Sequence, residues 1–563
     1  MAAPPTDQQA VIAFLATPAA YGPGCTSVDR VDTHVSVVFL ANQRAYKLKR
    51  AVQFPYVDYS TLDARRGFCE KEVRLNRRTA PDLYHGVVPV TRATDGALAV
   101  AGTGTPVEWL VEMRRFPQEL LLDAIARRGE LDVALAAAIG AAAAKLHAIA
   151  EPRSDHGGAS AMQWVIDEND AELSAAGDLV DQSLRGRLHK TSLEVLHRYG
   201  RLLDTRREGG SVRECHGDLH LGNLFLGDGQ PVLFDGIEFN DELSCIDVLY
   251  DLAFLVMDLL HRNLPVQANA TLNAWLERLP QYEALPVLPL FLSCRAAIRA
   301  KVLMTASGMS ADPARVRQLH REAGAYLDRA TSLIAPGTGA IVAIGGLSGS
   351  GKSTLAGRLA AHVGRPPGAL VLRSDVARKR RFGVEPTARL PNSAYDTHAN
   401  AAVYDELAHS AREVARAGYV AIVDAVFGED ALRQRISDVA SSEAVPFVGL
   451  WLDAPVETME ARLASRAADA SDATVDVLRQ QRSRVSVPGD WSRVDASASL
   501  DQAVNTARAL AGERMHALQG GAGRCGEWTR YESAGTGALD DTHSHASDVS
   551  WPLTLGRARR RHP

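Results

Sequence analysis

A glycine-rich segment in the second half of the chain constrains its fold more than any other feature. Residues 346–354 read Gly-Leu-Ser-Gly-Ser-Gly-Lys-Ser-Thr and match the pattern G-x-x-x-x-G-K-[ST]. The segment follows an apolar run at residues 340–344 and precedes a run with helical periodicity that begins at Thr354. A strand, a glycine-rich turn and a helix in this order are typical of a phosphate-binding loop. We therefore predict a P-loop here, against the alternative of a chance glycine-rich turn.

The residue types in this loop suit the phosphates of a nucleotide. Glycines let the backbone N–H groups wrap around phosphate oxygens, and the helix that follows presents its positive end to them. The lysine would reach the β- and γ-phosphates, and the serine after it would ligate Mg²⁺. We therefore predict that ATP and Mg²⁺ bind here. The predicted binding residues are Gly346, Gly349, Ser350, Gly351, Lys352, Ser353 and Thr354.

Apolar runs that alternate with helical segments predict a parallel sheet around this loop. The strand candidates are residues 340–344, 369–372, 420–423 and 447–452. Asp375 and Asp424 follow two of these runs, and ligands of open α/β sheets bind at the carboxyl ends of the strands. One aspartate would accept the proton of a substrate hydroxyl, and the other would hold Mg²⁺ through water. Helix capping is the alternative role for both aspartates.

Residues 340–515 resemble the small P-loop kinases, such as gluconate kinase, adenylylsulfate kinase and the zeta-toxin group. The resemblance implies that Asp375 orients the acceptor hydroxyl, which leaves Asp424 for the metal. It also implies a lid whose arginines contact the transferring phosphate. Arg462 and Arg466 lie at the matching place, one helical turn apart, and are predicted to be catalytic. Ordinary solvated arginines on a helix are the alternative.

A second polar constellation lies in the first half of the chain. Residues 215–225 contain Asp218 and Asn223, and Asp235 follows a short pair of strand-like runs. Protein kinases use, in this order, an aspartate that accepts the hydroxyl proton, an asparagine on the metal and a later metal carboxylate. We predict that Asp218 is the catalytic residue of this site and that Asn223 and Asp235 hold Mg²⁺.

The pattern H-G-D-L-H-x-G-N with a following Asp-Gly pair resembles aminoglycoside phosphotransferase-like and choline kinase-like enzymes, over about residues 35–301. The resemblance implies a strand lysine that contacts nucleotide phosphates and pairs with a helix glutamate. Lys47 and Glu72 are the predicted pair, with Lys49 and Glu70 as the alternatives.

Three further features of this half bear on the same site. Residues 112–117 fit the hinge that binds adenine through backbone groups in such kinases. The hairpin at residues 35–48 departs from the kinase pattern because it contains no G-x-G-x-x-G motif. Asp247 and Asp251 lie in a segment that resembles the one that braces the catalytic loop in this family, so we predict a structural role for both.

Composition limits the classes of function. The 563 residues carry a net charge of -5, which gives no overall electrostatic footprint for nucleic acid or for an anionic membrane. Aromatic residues make up 6% of the chain, which gives little support to a nucleic-acid partner. The six cysteines are scattered without C-x-x-C pairs, as is typical of a reducing compartment. We predict a cytoplasmic protein without an export signal or a membrane span, acting on small-molecule hydroxyl acceptors.

These patterns predict two domains and a tail. Residues 1–335 form an α+β protein-kinase-like domain of aminoglycoside phosphotransferase type, and residues 340–515 form an α/β P-loop NTPase domain with a parallel sheet. Residues 516–563 have few aliphatic side chains and are predicted to be a disordered tail. The predicted function is an ATP-dependent phosphotransferase with two sites and ATP hydrolysis as a side activity. The alternatives are a non-catalytic kinase-like sensor domain that regulates a P-loop ATPase, and a nucleic-acid end kinase.

Overall fold

The computed structural model of the chain describes residues 6–54, 56–385, 387–465 and 470–518. Contacts divide the described chain into two compact units. Of the described residues, the first unit contains those from 6 to 262 and from 287 to 334, whereas the second contains those from 263 to 286 and from 335 to 518. The sequence predicts a single boundary near residue 335, and it gives no indication that residues 263–286 pack with the second unit.

An antiparallel sheet opens the first unit. Its elements are α1 (Thr6–Leu15), β1 (Val28–Asp32), β2 (Ser36–Ala41), β3 (Arg44–Lys49), β4 (Gln53–Phe54), β5 (Val57–Asp58), α2 (Leu62–Asn76), β6 (Tyr84–Arg92), β7 (Leu98–Val100) and β8 (Thr105–Arg114). The strand order is β1-β2-β3-β8-β6-β7. As predicted, β2 and β3 form a hairpin, and Asn42 in its turn adopts a left-handed conformation with φ 53° that asparagine tolerates.

A different helix covers each face of this sheet. Phe39 of β2 packs on one face with Leu15 of α1, and Val111 of β8 packs on the other face with Val73 of α2. The side chain of Thr61 accepts a hydrogen bond from the Ala64 amide and caps α2. The capped helix is thereby fixed against the sheet face that carries the predicted lysine.

A helical part follows, with the candidate catalytic loop inside it. Its elements are α3 (Leu122–Arg127), α4 (Val133–Ile149), α5 (Gly158–Ala175), α6 (Gln182–Glu208), β9 (Val212–Glu214), β10 (Leu224–Gly227), β11 (Gln230–Leu233), α7 (Asp241–Ser244), β12 (Cys245–Asp247), α8 (Val248–His261), α9 (Pro265–Arg278), α10 (Leu288–Met309) and α11 (Pro313–Ile334). Helix α9 belongs to the second unit, and the others belong to the first. Almost every side chain of α8 is buried, so this helix is a rigid support for the loop before β10.

A parallel sheet forms the centre of the second unit, as predicted. Its remaining elements are β13 (Ala340–Gly346), α12 (Lys352–Ala360), β14 (Leu370–Arg373), α13 (Ser374–Arg381), α14 (Thr397–Arg416), β15 (Val420–Asp424), α15 (Asp430–Ser442), β16 (Phe447–Asp453), α16 (Val456–Ala464), α17 (Val475–Arg484), β17 (Ser492–Asp495) and α18 (Leu500–Leu518). The strand order is β14-β15-β13-β16-β17, and each neighbouring pair is parallel. Helices α12 and α18 pack against Val342 and Ile422 in the main core of this unit.

Helix α18 continues to Leu518, past the predicted end of the domain at residue 515. The rest of the predicted tail, from residue 519, lies outside the described residues. Among the helices that the structure describes, none combines the length and the apolar composition that a bilayer crossing requires.

Two glycines of the second unit should respond to substitution in opposite ways. A Cβ on Gly449 of β16 would lie 2.5 Å from the Trp491 ring, so Gly449→Ala should lower the free energy of unfolding by about 1–3 kcal/mol through overpacking. Gly512 lies within α18 with no atom within 4 Å of its Cβ position, so Gly512→Ala should raise that energy by up to about 1 kcal/mol. Urea unfolding of the full chain measures both changes, and the same sign for both would contradict this packing.

Candidate functional sites

The P-loop joins β13 to α12 with a backbone that requires glycine at two points. Gly349 and Gly351 have φ of 81° and 97°, in the left-handed region that only glycine adopts without strain. Lys352 is the first residue of α12, and its Nζ donates to the Leu347 carbonyl oxygen at 2.9 Å. The Ser348 amide donates to Gln481 Oε1 at 2.8 Å, so α17 contacts the loop. The sequence gives no signal for Gln481, because it lies far along the chain.

Ser353 and Asp424 meet at the end of the sheet. Ser353 Oγ donates to Asp424 Oδ2 at 2.6 Å, and Asp424 is the buried last residue of β15, the strand beside β13. A hydroxyl oxygen and a carboxylate oxygen are the hard ligands that Mg²⁺ takes, together with water and substrate phosphates. The two residues therefore fit the predicted metal position.

Asp375 lies in the first turn of α13, immediately after β14. The N-cap position of this helix belongs to Arg373 and makes no side-chain cap in the described structure, so Asp375 does not have the capping role that the sequence left open. Burial and then the nearby Asp424 carboxylate raise the pKa of Asp375 above its ordinary value. A carboxylate with raised proton affinity is suited to accept a proton from a hydroxyl group.

The predicted lid arginines have different outcomes. Arg462 lies in α16, and its guanidinium donates to the Ser350 carbonyl oxygen at 3.2 Å and to the Ala496 carbonyl oxygen at 2.8 Å. The structure thus places Arg462 on the P-loop backbone, and its contact with a transferring phosphate stays a prediction. Arg466 lies outside the described residues.

A cleft of about 1220 Å³ in the second unit contains the P-loop together with Asp375 and Asp424. Pockets for drug-sized ligands commonly have volumes of about 300–1,000 Å³. The cleft therefore has room for a nucleotide and a small acceptor together. Arg389, Tyr395 and Asp472 also line this cleft, and no sequence motif indicates them.

Lys47 and Glu72 in the first unit form the pair that the sequence predicts. Lys47 Nζ lies 2.9 Å from Glu72 Oε1 and 2.5 Å from Asp235 Oδ1. Burial disfavours the charge, but the Asp235 and Glu72 carboxylates outweigh burial and raise the pKa of Lys47 well above its ordinary value. The alternative glutamate, Glu70, pairs with Arg66 on the surface instead.

The alternative lysine, Lys49, takes part in the same network. Lys49 Nζ lies 2.6 Å from Glu72 Oε2 and also contacts the Glu238 carboxylate, which accepts a hydrogen bond from the Tyr59 hydroxyl at 2.7 Å. Burial favours the neutral acid, but Lys47 and Lys49 lower the pKa of Glu72 to about 2. No motif indicates Glu238, whose only signal in the sequence is its position shortly after Asp235.

The predicted catalytic loop brings Asp218 and Asn223 together. Asn223 Nδ2 donates to the backbone oxygen and to Oδ2 of Asp218, each at 2.9 Å. Asp218 Oδ1 is buried and has no hydrogen-bond partner among the described residues. Burial favours the neutral acid, but the neighbouring His220, His216 and Arg299 together outweigh burial and lower the pKa of Asp218. The side chain therefore keeps an ionised oxygen available for a hydroxyl proton.

Two aspartates of helix α8 hold the backbone of this loop. The Asp251 carboxylate accepts hydrogen bonds from the amides of His216 at 3.0 Å and Gly217 at 2.9 Å, and it contacts His147 Nε2 at 3.0 Å. Asp258, further along α8, accepts from the Leu221 amide at 3.1 Å. Asp251 thus has the structural position that the sequence predicts, whereas no motif indicates Asp258.

Asp235 is fixed through its backbone. Its amide donates to the Tyr84 hydroxyl at 3.1 Å, and the Gly236 amide donates to Asn76 Oδ1 at 2.8 Å. Asp235 itself adopts a left-handed conformation with φ 61°, which is uncommon for an aspartate and is frequent at functional sites. Its carboxylate and the Asn223 amide oxygen are oxygen donors of the type that Mg²⁺ prefers.

Known proteins resemble this chain over both units. Residues 58–287 match the model of the phosphotransferase enzyme family, and residues 341–488 match the model of the AAA domain. Uncharacterized protein Rv2004c of Mycobacterium tuberculosis (strain ATCC 25618 / H37Rv) is 29% identical over 497 residues, covering 85% of this chain and 94% of the relative. Uncharacterized protein Mb2027c of Mycobacterium bovis (strain ATCC BAA-935 / AF2122/97) gives the same values.

Solved structures of kinases resemble a smaller part of the chain. A sugar kinase from Janibacter sp. HTCC2649 is 20% identical, with a TM-score of 0.25, and the match covers 32% of this chain and 98% of that kinase. The adenylylsulfate (APS) kinase CysC of Mycobacterium tuberculosis, in complex with AMPPNP and APS, is 22% identical, with a TM-score of 0.25, over 31% of this chain and 99% of that enzyme. These TM-scores are too low to identify the domains of the chain, and the two family models identify them instead. The chain is a fusion of an aminoglycoside phosphotransferase-like kinase domain with a P-loop kinase-like domain.

Proposed function

We propose that this protein is a cytoplasmic ATP- and Mg²⁺-dependent phosphotransferase with two sites, each transferring the γ-phosphoryl group to a hydroxyl of a small molecule. The family models support the coarser statement that the chain is a phosphotransferase. The observation that carries the finer proposal is the 2.6 Å contact between Ser353 Oγ and Asp424 Oδ2, beside Lys352 and in the cleft that contains Asp375.

At the P-loop site, the loop amides and Lys352 would bind the phosphates of ATP, and Ser353 and Asp424 would hold Mg²⁺. Bound Mg²⁺ would neutralise charge on the β- and γ-phosphate oxygens. Asp375 would accept the proton of the acceptor hydroxyl while the hydroxyl oxygen forms a bond to the γ-phosphorus. The bond between the γ-phosphorus and the oxygen that bridges to the β-phosphate breaks in the same step. The products are ADP and a phosphate ester, and Asp375 then returns its proton to water.

At the first site, the same division of tasks uses different residues. Lys47, oriented by Glu72, would bind nucleotide phosphates, and Asn223 and Asp235 would hold Mg²⁺. Asp218 would accept the hydroxyl proton on Oδ1, the buried oxygen that has no hydrogen-bond partner among the described residues. The backbone amides of His216 and Gly217, just before Asp218, donate hydrogen bonds to the Asp251 carboxylate. These two bonds would hold the Asp218 carboxylate in position before any ligand binds.

Two observations favour a second candidate function for the first unit, that of a nucleotide sensor without turnover. Lys47 Nζ lies 2.5 Å from Asp235 Oδ1, so the carboxylate proposed for the metal is paired with a lysine. The hairpin of β2 and β3 also lacks the glycine-rich cover of kinases. Under this alternative, ligand binding at the first unit would regulate turnover at the P-loop.

Substitution of one residue per site separates these functions. We expect Lys352→Ala and Asp218→Asn, each in the full chain, to remove different phosphorylated products and to lower their formation at least about 100-fold, because each loses a group that acts on the transition state. Transfer of labelled γ-phosphate from ATP to a pooled metabolite extract measures this. If Asp218→Asn changes no product and Lys352→Ala abolishes all turnover, the first unit is a sensor.

Loss of the proposed base should separate nucleotide binding from transfer. Asp375→Asn should lower phosphoryl transfer at the P-loop site by about 100-fold or more and leave the affinity for ATP nearly unchanged, because only proton acceptance is lost. Asp438→Asn, which changes an exposed carboxylate on α15 that accepts from Gln434, is the matched control and should leave both quantities unchanged. Equal kinetics in the two variants would exclude Asp375 as the base.

A further inference from the structure

Helix α9 is part of the second unit although the sequence places it within the first. It lies between α8 and α10, and it falls inside the phosphotransferase-family match at residues 58–287. Its contacts nevertheless group residues 263–286 with the P-loop sheet. The P-loop unit is therefore completed by a segment that neither the P-loop motif nor the AAA domain match includes.

Two asparagines of α9 bind the outer edge of the parallel sheet. The Ala369 carbonyl oxygen accepts from Asn269 Nδ2 at 2.9 Å and from Asn273 Nδ2 at 3.2 Å. The Val371 amide donates to Asn273 Oδ1 at 2.7 Å. Since β14 is the edge strand, its outer amides and carbonyls have no neighbouring strand. Side-chain amides of α9 take the place of that strand.

The same helix reaches the charges of the P-loop site. Glu277 Oε1 lies 3.8 Å from the Arg373 guanidinium, and Arg373 Nε lies 3.8 Å from Asp424 Oδ2. Asp424 Oδ2 is also the oxygen that accepts from Ser353 Oγ. Arg373 ends β14, and Asp375 follows it in α13. Helix α9 thus contacts both the backbone and the terminal arginine of the strand that presents Asp375.

We propose that Asn273 and Glu277 are positioning residues of the P-loop site, which hold the end of β14 so that Arg373 stays between Glu277 and Asp424. This inference rests on the proposed function of that site. The Glu277 carboxylate partly neutralises the positive charge of the Arg373 guanidinium. Without Glu277, the attraction of Arg373 to the carboxylates of the site, Asp424 and Asp375, is no longer balanced from α9, so Arg373 moves toward Asp424 and competes with Mg²⁺ for that carboxylate.

The test measures nucleotide binding in the full chain, in an Asp235→Asn background that removes the metal carboxylate of the first site. We expect Glu277→Gln to weaken the Mg²⁺-dependent affinity for a non-hydrolysable ATP analogue by about fivefold and to leave the affinity in EDTA unchanged. The matched control is Arg278→Gln on the same helix, whose exposed partner is Glu385 at 3.8 Å, and it should leave both affinities unchanged.

A double variant tests whether Glu277 acts through Arg373. Glu277→Gln should have no further effect in an Arg373→Gln background, since the residue that it positions is then gone. Additive losses would overturn the proposal, and so would an unchanged Mg²⁺ dependence in Glu277→Gln.

Hydrogen exchange tests the asparagine contacts without any bound ligand. We expect Asn273→Ala to speed exchange of the Val371 amide at least about tenfold while the amides of β13 keep their protection. Unchanged exchange at Val371 would overturn the role of Asn273. If Lys352→Ala in the Asp235→Asn background leaves Mg²⁺-dependent nucleotide binding intact, the proposed function of the P-loop site fails, and the exchange data still decide whether α9 holds β14.

Discussion

The parallel pairing of β13 with β15 is the constraint on which the P-loop site depends. In this register Ile344 lies opposite Asp424, so the strand that leads into the loop and the strand that carries the carboxylate end at the same edge of the sheet. The hydrogen bond from Ser353 to Asp424 follows from that placement. Because both strands are buried, neither group can shift without disturbing the core, and the loop glycines complete the geometry with conformations that other residues rarely adopt.

In the first unit, buried ion pairs hold the candidate site together, whereas in the second unit the backbone of the P-loop forms the candidate site. Glu72 is fully buried between Lys47 and Lys49, and removing any one of these partners would leave an uncompensated charge in the interior. The network therefore specifies one arrangement of β3, α2 and the segment after β11. Asp251 does the same for the predicted catalytic loop, since its two oxygens accept from successive backbone amides. In both units, ionised side chains are held in place by partners inside the fold.

The division of the chain in space differs from its division in sequence. The family match of the first domain ends at residue 287, yet residues 263–286 complete the edge of the P-loop sheet. An edge strand needs partners for its outer backbone groups, and here asparagine side chains supply them. A P-loop unit cut from the chain at residue 335 would lose these contacts.

The sequence alone determined the elements and the two constellations, because local patterns carry that information. The motif at residues 346–354 specified strand, loop and helix, the alternation of apolar runs specified the parallel sheet, and Asp218, Asn223 and Asp235 stood at kinase spacing. The sequence did not decide whether Lys47 or Lys49 is the strand lysine of the first site, or whether Glu72 or Glu70 is its partner. Only the tertiary structure decided that both lysines share Glu72, that Glu238 and Asp258 support the first site, and that α9 belongs to the P-loop unit. These contacts join residues far apart in the chain, and no short-range periodicity encodes a partner that folding alone brings near.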